Sequence, residues 1–215
     1  MTDFATARRM MVDGQVRTAD VTDRRILSAM QEVPRERFVP QASTALAYLD
    51  LDLPVGAGRC LLKPMVLAKL LEEAEIKETD RVLDAGCATG YAAAILSRLA
   101  ASVVALEQDA ALAQAAKSAL AGVANVSVVT GPLTDGWRQS GPYDVILLEG
   151  ATEIAPKALC DQLADGGRLL CVQGRAPATK ATLYVRSGAD SGGRPIFDAA
   201  APVLPGFAKP PAFAF

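Results

Sequence analysis

Apolar and polar positions change rhythm several times along the chain, and each change marks an element. Between residues 4 and 18, Met10, Met11 and Val12 sit among Arg8, Arg9, Asp13 and Arg17, which predicts an amphipathic helix. A second helix is expected from Thr22, a good capping residue, with Ile26, Leu27, Met30 and Val33 on one face and Pro34 stopping it. Tyr48–Gly56 carries too many Asp and Pro residues for a central strand and reads as an extended lid, with Gly58–Lys63 as a loop after it. Pro64 then opens a helix over Met65–Glu75.

Beyond residue 80 the rhythm alternates. Arg81–Ala85 reads as a strand, Gly86–Gly90 as a glycine turn and Tyr91–Leu99 as a helix. Ser102–Glu107 is the next strand, and Ala110–Ala121 is an alanine-rich helix closed by Gly122. Val126–Gly131 and Tyr143–Leu148 follow as strands, the latter a nearly unbroken apolar run typical of a strand covered on both faces. A helix over Pro156–Leu163 leads to a strand over Arg168–Val172. Ala181–Arg186 and Ile196–Leu204 suit an antiparallel hairpin on the sheet edge, and the tail Lys209–Phe215 reads as extended. Alternating strands and helices imply an α/β fold, with a mostly parallel sheet, helices on both faces and a ligand at the carboxyl ends of the strands. Gly86–Gly90, Glu107, Gly131–Leu133 and Glu149–Thr152 all fall at that edge.

Composition narrows the chemistry. A chain of 215 residues, 51% hydrophobic with a mean hydropathy of +0.22, suits one domain with an ample core. No apolar run is long enough to span a bilayer, and Thr2–Arg9 lacks the apolar stretch of a signal peptide, so a cytoplasmic address is expected. A net charge of −2 without a basic block argues against nucleic acid as the partner; Arg35 and Arg37, beside Glu36, read as a solvated surface. Cys60, Cys87, Cys160 and Cys171 form no C-x-x-C pair and read as buried, reduced thiols. The chain has no histidine. Ser-His-Asp hydrolysis, Cys-His catalysis and histidine-ligated metal are therefore excluded, and no metal site is expected.

The glycine turn carries the candidate chemistry. Asp84, Gly86, Cys87, Ala88 and Gly90 follow a strand, and Glu107 closes the next one. Glycines in such a turn let backbone approach a nucleotide, and the acid can accept ribose hydroxyls. Any strand–helix–strand unit can carry a glycine turn and an acid, so the pattern alone also suits plain packing. Asp84 inside the motif, and Ala93 and Ala94 where a dinucleotide fold carries its third glycine, favour an S-adenosylmethionine loop over a nicotinamide loop.

The order of motifs resembles the protein L-isoaspartate O-methyltransferase family from about Met11 to Leu204. It rests on Val33–Pro40, Tyr48 with Leu53–Gly56, Asp84–Tyr91, Asn125-Val126, Gly136-Trp137, Pro142–Asp144 and Gln162–Leu169. The resemblance implies a doubly wound seven-stranded, mostly parallel sheet with an N-terminal helical extension. It divides the chain into N-terminal helices and lid over 1–63, a cofactor-binding core over 64–174, and C-terminal strands and tail over 175–215. It further implies S-adenosyl-L-methionine held by Asp84, Gly86, Cys87, Ala88, Gly90, Glu107, Gly131, Pro132, Leu133 and Glu149, and an isoaspartyl protein or peptide as methyl acceptor. No sequence feature fixes the oligomeric state; a monomer is the expectation.

Several positions depart from the family pattern. Its catalytic loop resembles Gly-Gln-Thr-Ile-Ser-Gln-Pro, where this chain has Gly58–Pro64, with Cys60, Leu62 and Lys63 at the catalytic positions and hydroxyls lost at Cys60 and Leu62. Ala88 replaces the middle glycine, and Gly131-Pro132-Leu133 replaces a Gly-Asp-Gly. A degenerate binding module and a methyltransferase for another carboxylate are the alternatives these departures raise.

Overall fold

A computed structural model describes residues 3–210; the extended tail expected beyond Pro210 lies outside the described residues. The expected first helix forms as α1 (Phe4–Met11), capped by the Asp3 carboxylate. It then widens into a π-helical turn over Val12–Val16 around Gly14 and tightens over Arg17–Ala19. In α2 (Arg24–Glu32) the cap is Asp23 rather than Thr22, because Glu72 accepts the Thr22 amide and hydroxyl.

The lid segment contains β1 (Leu53–Gly56), which pairs with β2 (Arg59–Leu61) in an isolated antiparallel hairpin. The loop expected at Gly58–Lys63 is thus half strand. Positive φ at Gly56, Ala57 and Gly58 makes the reversal possible. Helix α3 (Pro64–Ala74) begins at the proline, and the Asp52 and Asp50 carboxylates accept the Lys63 and Met65 amides at its start.

The core follows as β3 (Arg81–Ala85), α4 (Tyr91–Leu96), β4 (Ser102–Glu107), α5 (Ala110–Ala119), β5 (Val126–Thr130) and β6 (Tyr143–Thr152). A single helical turn, α6 (Lys157–Cys160), precedes β7 (Leu163–Arg175), β8 (Ala178–Ser187) and β9 (Asp190–Asp198). The seven-stranded sheet has the order β5-β4-β3-β6-β7-β8-β9 and is parallel except where β8 runs against both neighbours. The chain winds outward from β3 to β5, then returns to place β6 on the other side of β3. That reversal, between the carboxyl ends of β3 and β6, is where open sheets of this kind bind ligands.

Alternation along the central strands buries Val82, Val103 and Val145 on one face and Leu83, Leu106 and Ile146 on the other. Helices cover both faces, as expected, though unequally. The first carries side chains of α1 to α5; the second is covered by α6 with Leu133, Leu204 and Phe207 from irregular segments. The helix expected over Pro156–Leu163 shortens because β7 begins at Leu163. Among the described residues, no helix is long and apolar enough to cross a membrane.

Candidate functional site

The turn after β3 sits at the sheet reversal. Gly86 and Cys87 donate their amides to the Leu106 carbonyl, which draws the turn over the end of β4. Gly86, Ala88 and Gly90 all have positive φ, and Ala88 reaches this conformation with a methyl group in place. Glu107, 1% exposed, closes β4 directly beside the turn. Its carboxylate accepts the Ala88 amide (2.8 Å) through Oε2, and the Gln108 (2.8 Å) and Asp109 (3.1 Å) amides through Oε1.

Asp84 on β3 and Glu149 on β6 lie on adjacent strands, and both are buried. Neither Asp84 oxygen nor Glu149 Oε1 has a donor from the protein. The two carboxyls face each other, so a single shared proton is what can join them. Burial, then the facing Glu149, holds Asp84 well above the usual carboxylate range. Burial likewise pushes Glu149 up to about 7.

Two guanidinium groups enter this acidic ground. Arg59, from β2, is 5% exposed, and its Nη2 donates to the Gly86 carbonyl at 2.5 Å. Its Nε lies 3.5 Å from Glu107 Oε2 but has no aligned hydrogen-bond partner. Arg35 is fully buried, which corrects the solvated surface expected for it. It donates to the Ala47 and Leu62 carbonyls (2.9 and 2.8 Å) and stacks 4.6 Å from the centre of the Tyr91 ring. Arg37 does stay exposed, and Glu36 pairs with Arg8 at 3.2 Å.

The sequence-derived site residues divide accordingly. Asp84, Gly86, Cys87, Ala88, Glu107 and Glu149 converge, and Leu133 joins them, 3.6 Å from where a Cβ on Gly86 would stand. Gly131 anchors its turn by donating to the Glu107 carbonyl, whereas Pro132 is exposed. Gly90 serves packing: a Cβ there would meet Leu120 of the α5 end at 2.8 Å. Of the loop positions, Leu62 is 1% exposed and packs in the core, and Lys63 is half-buried. Burial raises the Cys60 thiol to about 11, so it is neither a ready base nor a thiolate at neutral pH. All four cysteines are free and buried, as the sequence suggested. No cluster of metal-ligating side chains occurs among the described residues.

What this arrangement offers is a glycine turn with a carboxylate beside it, at the sheet reversal. Such a turn suits a ligand with hydroxyls that can donate to Glu107.

Residues 7–191 match the sequence model of the protein-L-isoaspartate(D-aspartate) O-methyltransferases. A protein-L-isoaspartate O-methyltransferase of Koribacter versatilis is 41% identical over 191 residues, covering 88% of this chain and 86% of the relative. One from Methanoregula boonei is 44% identical over 172 residues, 79% of each chain. Among solved structures, a protein-L-isoaspartate O-methyltransferase superposes with a TM-score of 0.80 at 25% identity, covering 92% of this chain and 66% of that one. A Plasmodium falciparum protein, solved with S-adenosyl-L-homocysteine, has the same fold at a TM-score of 0.80 and 16% identity, covering 92% of this chain and 97% of that one. The chain belongs to the protein-L-isoaspartate(D-aspartate) O-methyltransferase family.

Proposed function

We infer that the protein is an S-adenosylmethionine-dependent methyltransferase that esterifies the α-carboxylate of isoaspartyl residues in proteins or peptides. The observation that carries this reading is the Glu107 carboxylate beside the Gly86 turn at the sheet reversal, in a chain of this family.

The residues present fit the cofactor in kind. Orphaned acceptor atoms on Asp84 and Glu149 await a donor or a positive charge, and a glycine stands where backbone must approach closely. Glu107 would accept the ribose hydroxyls, the Gly86 turn would lie along the ligand, and Leu133 would form an apolar wall. S-adenosylmethionine supplies a methyl group activated by a sulfonium. The rest falls to the protein: orienting the acceptor and keeping water out.

A carboxylate acceptor suits this chain. It is already ionised at neutral pH and needs no general base, so the lack of histidine costs nothing. The high thiol pKa of Cys60 fits the same scheme, because no nucleophile is required of it.

A second reading, another carboxylate as acceptor, is favoured by one observation. Leu62 packs into the core, so its position offers no group to an isoaspartyl substrate. Transfer of a labelled methyl group to an isoaspartyl peptide and to its aspartyl isomer separates the two. Base-labile label on the isoaspartyl peptide alone is the expected result. Label on neither peptide, with turnover on a small carboxylic acid, would favour the second reading.

A further inference from the structure

We propose that Arg59 is a built-in competitor for the cofactor: its guanidinium holds Glu107 and the face of Gly86 in the ligand-free protein and leaves when S-adenosylmethionine enters. The inference rests on the cofactor reading above.

Space is the first argument. The opening that Gly86 creates by lacking a side chain is already filled, since a Cβ there would lie 2.6 Å from Arg59 Nη2. A ligand drawn up to this backbone and the Arg59 side chain cannot occupy it together.

Charge is the second. Asp84, Glu107 and Glu149 make a buried acidic set, and Arg59 is the cation that enters it at Glu107. The sulfonium of the cofactor is also a cation. Holding both in a water-poor site would be repulsive, whereas exchanging one for the other keeps the balance of charge.

The third argument is that one hydrogen bond, from Nη2 to the Gly86 carbonyl, holds the Arg59 side chain. Its Nε has no hydrogen-bond partner, and it makes no hydrogen bond to Asp84 or Glu149. Buried polar groups of a permanent structural pair are normally satisfied. Glu107 does not depend on Arg59 either, because three backbone amides already bind its carboxylate. The exit is short. Arg59 follows the exposed reversal Gly56-Ala57-Gly58, where no atom stands within 4 Å of either glycine's missing Cβ. The β1–β2 hairpin forms its own two-stranded sheet, separate from the main one. Cys60 and Leu61 beside Arg59 are buried, so the movement is that of the Arg59 side chain and the exposed reversal, not of the strand.

A competitor of this kind lowers the apparent affinity by the fraction of molecules in which it stands aside. Calorimetric titration with S-adenosylhomocysteine therefore compares wild type with Arg59→Gln, which keeps much of the length but not the charge. The variant is expected to bind roughly tenfold tighter or better. Equal or weaker binding by a folded variant, with both proteins still binding, overturns the proposal and leaves the cofactor reading standing. Binding by neither protein overturns the cofactor reading and this inference with it. A ligand-free melting curve reports whether the variant folds. Should it not fold, wild type decides through phenylglyoxal modification read by mass spectrometry. Arg59 is expected to be inert in the free protein and reactive with S-adenosylhomocysteine bound; continued inertness in the saturated complex overturns the proposal.

Discussion

Asp84 and Glu149 face each other from adjacent parallel strands, buried and without a donor from elsewhere in the protein. Two ionised carboxyls cannot share such a place, so the folded protein keeps a proton there that the unfolded chain would release. Burial raises Glu149 from an ordinary 4.5 to about 7, and Asp84 is raised as well. Between these values the folded state binds more protons than the unfolded state, so the pair's contribution to stability is intact below about pH 4.5 and declines as the pH rises through 7. Glu149→Gln supplies a permanent donor to Asp84. Melting curves from pH 5 to 8 should show wild type losing stability relative to this variant as the pH rises. A constant difference across the range would contradict the shared proton.

Arg35 ties the N-terminal extension to the loop before α3. Its two carbonyl acceptors are Ala47 and Leu62, on either side of the β1–β2 hairpin. Charged hydrogen bonds of this kind contribute roughly 1.5–3 kcal/mol each, so Arg35→Met should lower the unfolding free energy by about 3 kcal/mol or more. Arg35→Lys should recover only part, since one ammonium cannot reproduce the two-pronged reach. Urea unfolding with unchanged m-values would measure both; a Lys variant as stable as wild type would remove the geometric argument.

Gly90 and Gly86 belong to one motif and do different work. At Gly90 a methyl group would collide with Leu120, and the backbone has φ +93°. Gly90→Ala should cost roughly 1–3 kcal/mol of stability while leaving ligand affinity nearly unchanged. Gly86→Ala intrudes on the space that Arg59 fills and should weaken ligand binding directly. Parallel denaturation and titration of the two variants would expose any error in this division.

Restoring the hydroxyl that the family carries at position 62 should not rescue anything by itself. Leu62 lies in the core, so Leu62→Ser removes a buried isobutyl group and should destabilise by roughly 2–5 kcal/mol. A variant that gains methyl-transfer activity at unchanged stability would mean that this position faces the substrate.

Much of this architecture was legible in the residues. The apolar runs at Val82-Leu83 and Val145–Leu148 mark central strands because both their faces are buried, and Asp84 and Glu107 announce a site because they stand at the carboxyl ends of such strands, whereas β6 continues past Glu149 to Thr152. The cations were not legible. Arg35 stands in a charged run with Glu36 and Arg37, and what turns it inward is the tight turn Arg35–Phe38 after Pro34. Arg59 is apparent as a site residue only once β1 and β2 pair and aim it across the glycine turn; periodicity over three residues of strand carries no such information. Gly90 matched a ligand motif, yet its missing side chain answers to α5, a contact distant in sequence.

The central claim is that the Gly86 turn and Glu107 still form a cofactor site despite Ala88 and Leu133. Calorimetric titration of wild type and Glu107→Ala with S-adenosylhomocysteine tests it most directly. Saturable one-to-one binding by wild type, weakened at least roughly tenfold in the variant by loss of charge-assisted hydrogen bonds, is the predicted result. Wild type that is folded and yet silent at millimolar ligand would contradict the account.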